Sequence, residues 1–405
     1  MRTRMRLGGC VVLCLVGWVA AAPRGSRPDP KGVGGNLKKY DSPIYAVYTD
    51  VAEDDAREAV IRMNKMAIEY HERTKALFAG QINQQLPFYL FSNEVDYLNA
   101  SQMPGSAGVF MGDALMARAI RTPDGRIGMG TWHVTQHEGF HQFVSAVIRG
   151  GIPTWVNEGL AEYFGEGIFT GDGMVTGIVS TGRMKRVQKE IEDGRFVSIK
   201  EMMLMTHAEW NARLEITHYD QAWSMVHFLA TAEKGKYQDA FARFLQLIGK
   251  GSQWEKAWVA AFGNVEGFEQ KWKDYWLKLP ENPTLDLYAK ASVATLTSFM
   301  GRAWSQKDTF DKYEEFIRKE AKDLKAAPAD WLPPALYAEM KELAEQLKGR
   351  GCEFSLIRAK GPIPQMLCIM ADGTKITGTF TVQNGRIGKV TVEEVKAGEA
   401  VIYKK

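Results

Sequence analysis

Residues 131–148 read TWHVTQHEGFHQFVSAVI and contain His137-Glu138-Gly139-Phe140-His141, an H-E-x-x-H pattern. On a helix, positions four apart lie one turn apart on the same side. A helix here therefore offers the imidazoles of His137 and His141 to one metal ion, with Glu138 flanking them. Val134, Phe140, Val144, Val147 and Ile148 fall on a broad apolar arc that includes both histidines, so the pair faces packed protein. Two histidines and an acid make half of a zinc site, which still needs a third ligand.

Residues 154–164, TWVNEGLAEYF, follow the helix-breaking Gly150, Gly151 and Pro153. Thr154 is the expected N-cap of a second helix. Glu158 and Glu162 are again four apart. Buried carboxylates on an apolar helix are costly unless a cation meets them, and zinc held by the histidines answers that cost. Glu158 then completes the metal site, and Glu162 accepts a hydrogen bond from a ligand imidazole and fixes its tautomer. The bland alternative is a pair of solvent-facing glutamates on a surface helix.

The two stretches HEGFHQF and WVNEGLAEYF together resemble the gluzincin zinc peptidases, the clan of thermolysin and the zinc aminopeptidases. The likeness is greatest to the small bacterial peptidase MA-like families. It implies His137, His141 and Glu158 as zinc ligands, Glu138 as general base and Glu162 as the acid behind a ligand. It extends over about residues 42–279. Only 16 residues separate His141 from Glu158, which suits the compact members. The resemblance also implies a Tyr or His, from a later helix, that stabilises the oxyanion. His218-Tyr219 opens such a helix, and Tyr219 is preferred because a phenol stays protonated at neutral pH. Finally, it implies a sheet before the motif helix, one strand of which pairs with an extended substrate. Residues 108–110 are the candidate for that strand.

The surrounding pattern predicts an α+β fold. Strands are expected at 44–48 and 86–91, and helices at 53–79 and 94–100. A hairpin made of 107–119 and 126–129 is expected to turn near Asp124-Gly125. Apolar periodicity predicts helices at 183–193, 199–205, 217–229, 237–248, 254–261 and 267–276, whose aromatic residues read as core. His71, His207 and His227 read the same way. His133 lies one turn before His137, but the 137/141 pair leads on to Glu158 and is the better ligand pair.

Residues 1–22 read as a signal segment: Arg2, Arg4 and Arg6, an apolar core too short for a good membrane span, then Ala20-Ala21-Ala22. Residues 23–41 read as a flexible leader, 42–279 as the gluzincin-like domain, 280–349 as a helical segment and 350–405 as a small β module. The hairpin signals of the last are Asp372-Gly373 and Asn384-Gly385. The three arginines account for the whole formal net charge of +3, so the processed chain is neutral and gives no reason to expect nucleic acid or anionic lipid as a partner. Once Cys10 and Cys14 leave with the signal, Cys352 and Cys368 remain. An even pair in an exported protein predicts a disulfide, the alternative being two free core thiols. The sequence thus predicts an exported (periplasmic or secreted) zinc metallopeptidase acting on peptides or proteins, with no stable membrane span. The rival expectation is a degenerate peptidase-like domain that serves as a binding or scaffold protein of the cell envelope.

Overall fold

The computed structural model describes residues 37–78, 80–148, 152–213, 215–358 and 363–398. The expected signal segment and most of the leader lie outside them. The chain is mixed α+β and forms two compact units. One runs to Gly167 and resumes from Thr176 to Pro283; the other takes Ile168–Val175 and resumes at Thr284.

The first unit opens with β1 (Lys38–Asp41), β2 (Tyr45–Thr49), α1 (Glu53–Thr74), β3 (Leu86–Phe91), α2 (Glu94–Ser101), β4 (Gly108–Met111) and β5 (Ala114–Arg118). The five strands make one sheet in the order β1-β2-β3-β5-β4. β1 and β4 are antiparallel to their neighbours, while β2, β3 and β5 run parallel. Every residue of β3 is buried, as expected for a central strand covered on both faces. Two expectations change here. Residues 38–41, placed in the leader by sequence, are an edge strand paired with β2. The hairpin before the motif helix turns at Gly112-Asp113, between β4 and β5. Gly112 has a φ of +68° and occupies the first central position, which a type II′ turn reserves for glycine. The turn at Asp124-Gly125 closes only an isolated bridge between Arg121 and Ile127.

The motif helix is α3 (Met129–Val147), followed by α4 (Thr154–Gly165), α5 (Thr181–Glu192), α6 (Ile199–Leu204), α7 (His207–Arg213), α8 (Ile216–Gly235), α9 (Gln238–Gly249), α10 (Trp254–Phe262) and α11 (Val265–Lys278). α3 packs on β4 and β5, on α1 and on α4, and α4 packs in turn on α8. Trp132, Val134, Phe140 and Phe143 of α3 are all buried. At roughly 1.5–3 kcal/mol for each large apolar side chain, they anchor the helix by its flanks and leave its polar stripe to the site. Gly139 lies where a Cβ would meet Met63 Cε at 2.6 Å, so the small residue inside the motif lets α1 approach. α4 begins at Thr154, its expected cap, so Pro153 holds the cap position instead, with no side-chain capping hydrogen bond.

The second unit contains the hairpin β6 (Ile168–Phe169) and β7 (Met174–Val175), then α12 (Leu285–Ser305), α13 (Tyr313–Arg318), α14 (Pro334–Lys348) and strands β8 (Glu353–Ile357), β9 (Gln365–Ile369), β10 (Lys375–Gln383) and β11 (Arg386–Val395). The strands form an antiparallel sheet in the order β11-β10-β9-β8. Asn384 and Gly385, at φ +52° and +72°, make the tight turn between β10 and β11 that their identities predict. α12 packs on β9, β10 and β11 and on α14, so the helical stretch and the β stretch share one core. A Cβ on Gly378 would fall 2.0 Å from Thr297 Oγ1, which shows how closely sheet and helix approach. Arg302 of α12 holds Asp172 of the hairpin, with Nη2 to Oδ1 at 2.8 Å. Cys352 and Cys368 are buried free thiols in contact with one another, not the expected disulfide. The strand register is the reason they are staggered: Cys368 faces Phe354 across the ladder, so the two cysteines are diagonal and not directly opposed.

Candidate metal centre

One turn of α3 and one turn of α4 bring three ligating side chains together. His137 is 0% exposed and His141 and Glu158 are 1% exposed. The two Nε2 atoms lie 3.1 Å apart, and each lies 3.5 Å from Glu158 Oε2. Tetrahedral ligands at zinc-ligand bond lengths are about 3.3 Å from one another, so the triangle has the size of three corners of such a site. Neither oxygen of Glu158 has a hydrogen-bond partner among the described residues, although both are buried. Unmet polar atoms at such depth cost stability unless something else satisfies them. The local field favours a cation. Burial alone would push the His137 imidazole down, but Glu158 and Glu162 outweigh it and raise the group to about 10. Burial would likewise raise Glu158, yet His141 and His137 hold it down at about 2.

Glu162 lies behind His137, with Oε1 3.3 Å from Nδ1. His133, His137 and Glu162 form a second group near enough to hold an ion. There, however, the guanidinium of Arg183 already lies 2.6 Å from Glu162 Oε2, and it supplies the positive charge that a metal would. The first group is therefore the better metal site.

Glu138 is fully buried beside the histidines. The register places Gly108 and Phe110 with their N–H and C=O groups pointing away from β5, because Arg118 N donates to Ala107 O in the neighbouring pair. The Phe110 N–H donates to Glu138 Oε2 at 2.9 Å, while Oε1 has no partner among the described residues. Burial raises the Glu138 carboxyl, and His137 and His141 offset part of the rise.

Tyr219, near the start of α8, has its ring centroid 6.5 Å from that of His137. Burial, reinforced by Glu158, raises its phenol, so it is protonated at neutral pH. The Trp210 indole lies edge-on, 5.1 Å from the phenol ring, and the hydroxyl proton has no acceptor among the described residues. His218 instead lines a small, partly open pocket together with Asp220, Gln221 and Trp272. Of the two residues offered by the sequence, Tyr219 is the one whose ring lies beside a candidate ligand, His137.

Gly159 completes the N-E-G triplet. A Cβ there would lie 2.5 Å from the carbonyl oxygen of Ala222 and 2.6 Å from Val226 Cγ2. The residue therefore sets the closeness of α4 and α8, which carry Glu158 and Tyr219. Gly159→Ala should destabilise the fold by about 1–3 kcal/mol through overpacking against backbone, outweighing the roughly 1 kcal/mol of helix propensity gained. Urea unfolding measures this, and a midpoint at or above wild type would mean that the crossing yields without cost.

Arg183 carries no motif and was not singled out from the sequence. Its only signal there is its spacing of four and eight from Val187 and Ile191, which puts a cation on the buried stripe of α5. Residues 133–252 match a family described as a protein of unknown function (DUF1570). The match takes in α3 from His133, the whole of α4 to α8 and therefore the ligand group, Arg183 and Tyr219. No curated protein matches the chain.

Proposed function

We propose that the chain is a zinc-dependent peptidase of the gluzincin type. The observation that carries this reading is the buried triangle of His137, His141 and Glu158, spaced as zinc ligands and left without hydrogen bonds at the carboxylate. A bound zinc ion would supply Lewis acidity, polarising the scissile carbonyl and making a water easier to deprotonate. Glu138 acts as general base. Its Oε2 is fixed by the Phe110 N–H, which leaves Oε1 to take the proton of the attacking water and pass it to the leaving amine. Burial makes that carboxylate a stronger base than an exposed one. Tyr219 donates a hydrogen bond from its hydroxyl, which keeps its proton, to the oxyanion as charge develops there. The outward-facing groups of β4 other than the Phe110 N–H, which Glu138 occupies, suit an extended peptide that adds as a further strand at the edge of the sheet.

An exported setting is part of the proposal and rests on the signal-like segment 1–22. No helix among the described residues is long and apolar enough to cross a membrane. Metal analysis and digestion of a mixed peptide library test the reading together. About one zinc per chain is expected, with cleavage lost to a chelator and restored by zinc. A chain that takes up no zinc on reconstitution overturns the proposal.

Tyr219→Phe removes one oxygen and little packing. A fall of about 10²-fold or more in kcat with KM little changed is expected for a transition-state donor. Wild-type kcat in this variant, with His218→Ala impaired, would transfer the role to the histidine.

A further inference from the structure

Arg183 is buried among three carboxylates. Its Nη1 lies 2.6 Å from Glu162 Oε2 and 3.5 Å from Glu166 Oε1. Its Nε lies 3.1 Å from Asp220 Oδ1, and the guanidinium sits 5.2 Å over the Trp223 ring. Asp220 is also gripped by Arg186, with Nε to Oδ2 at 2.5 Å and Nη2 to Oδ1 at 3.1 Å. Two different edges of one planar cation thus pair in charge with two carboxylates, without hydrogen-bond geometry at Nη1 or Nε among the described residues. Glu162 stands behind His137, and Asp220 is the neighbour of Tyr219 on α8.

A buried ion pair contributes little net stability compared with apolar residues of the same volume. Burying this one is better explained by position: a rigid planar cation can pair with carboxylates on two different helices at once. The three helices it joins are α5 itself, α4 with Glu158 and Glu162, and α8 with Tyr219. We propose that Arg183 is a positioning residue that couples the metal-ligand side of the site to the oxyanion side, through Glu162 and Asp220. The inference rests on the peptidase reading above and deepens it.

The coupling predicts different outcomes for different replacements. Arg183→Lys keeps a charge for Glu162 but cannot span to Asp220. It should hold zinc within a few-fold of wild type while kcat falls and KM changes little. Arg183→Met releases both carboxylates and should weaken zinc binding by about 10–100-fold, as expected for loss of an outer partner of a ligand. In Arg183→Met/Glu162→Gln the loss of zinc affinity should equal that of Glu162→Gln alone, because Arg183 acts on the metal through Glu162. Zinc affinity is read by competition with a chromophoric chelator, kcat and KM by peptide cleavage, and folding by thermal unfolding of the same samples. If Arg183→Met does not fold, the lysine variant and the charge-balanced double variant carry the test. Zinc affinity and kcat equal to wild type in folded Arg183 variants, with only the unfolding temperature changed, would reduce Arg183 to a structural ion pair and overturn the coupling. Additive losses in the double variant would overturn it equally. A wild-type chain that binds no zinc overturns the peptidase reading itself, which separates the two failures.

Discussion

Glu138→Gln is expected to keep its metal and its fold and to lose peptide hydrolysis by about 10²–10⁴-fold, the range that a positioned general base supplies. The substitution is nearly isosteric. The amide oxygen of glutamine can still accept the Phe110 N–H that now donates to Glu138 Oε2, so β4 and α3 stay in register. What disappears is the partnerless oxygen, Oε1, together with its capacity to take a proton. Because Glu138 is buried and its carboxyl is raised by that burial, replacing it with a neutral group relieves desolvation and should not lower stability. The assay needs three readings on one preparation: zinc per chain, unfolding temperature and kcat/KM on a library-derived peptide. Turnover unchanged from wild type would place the base elsewhere.

Loss of the metal is the second large effect expected. His137→Ala or Glu158→Ala each removes one corner of the triangle, leaving two protein ligands. Their zinc affinity should fall by more than the roughly 10–100-fold loss that an outer partner costs. Glu162→Ala, which removes only the carboxylate 3.3 Å behind His137 Nδ1, should stay within that smaller range. The order of the three variants matters more than any single value. If Glu162→Ala lost the metal outright while Glu158→Ala kept it, the ion would belong to the alternative group of His133, His137 and Glu162. Retention of stoichiometric zinc by both His137→Ala and Glu158→Ala would remove the assignment altogether.

The sequence by itself determined what depends on a few neighbouring residues. The i, i+4 spacing of His137 and His141 is a property of one helix, as is that of Glu158 and Glu162, and both helices form where expected. The turn at Asn384-Gly385 follows from which residues tolerate positive φ. The hairpin before α3 was misplaced because Gly112-Asp113 gives a weaker local signal than Asp124-Gly125, and β5 is chosen by its pairing with β3 across the sheet. Lys38–Asp41 is polar and shows no strand pattern; only β2 makes it a strand. Register likewise decided that Cys352 and Cys368 lie diagonally as thiols.

The site follows the same division. The candidate ligand residues were legible, but the 3.5 Å distances from Glu158 Oε2 to both imidazoles depend on how α4 packs on α3. The Phe110 N–H that holds Glu138, and the guanidinium of Arg183 between Glu162 and Asp220, come from segments 20 to 40 residues away along the chain. Local spacing sets which groups one helix can present, because rotation per residue is fixed along it. Which groups from different helices meet is set by burial and close packing of the whole unit, where Gly139 and Gly159 permit contacts that no short stretch encodes.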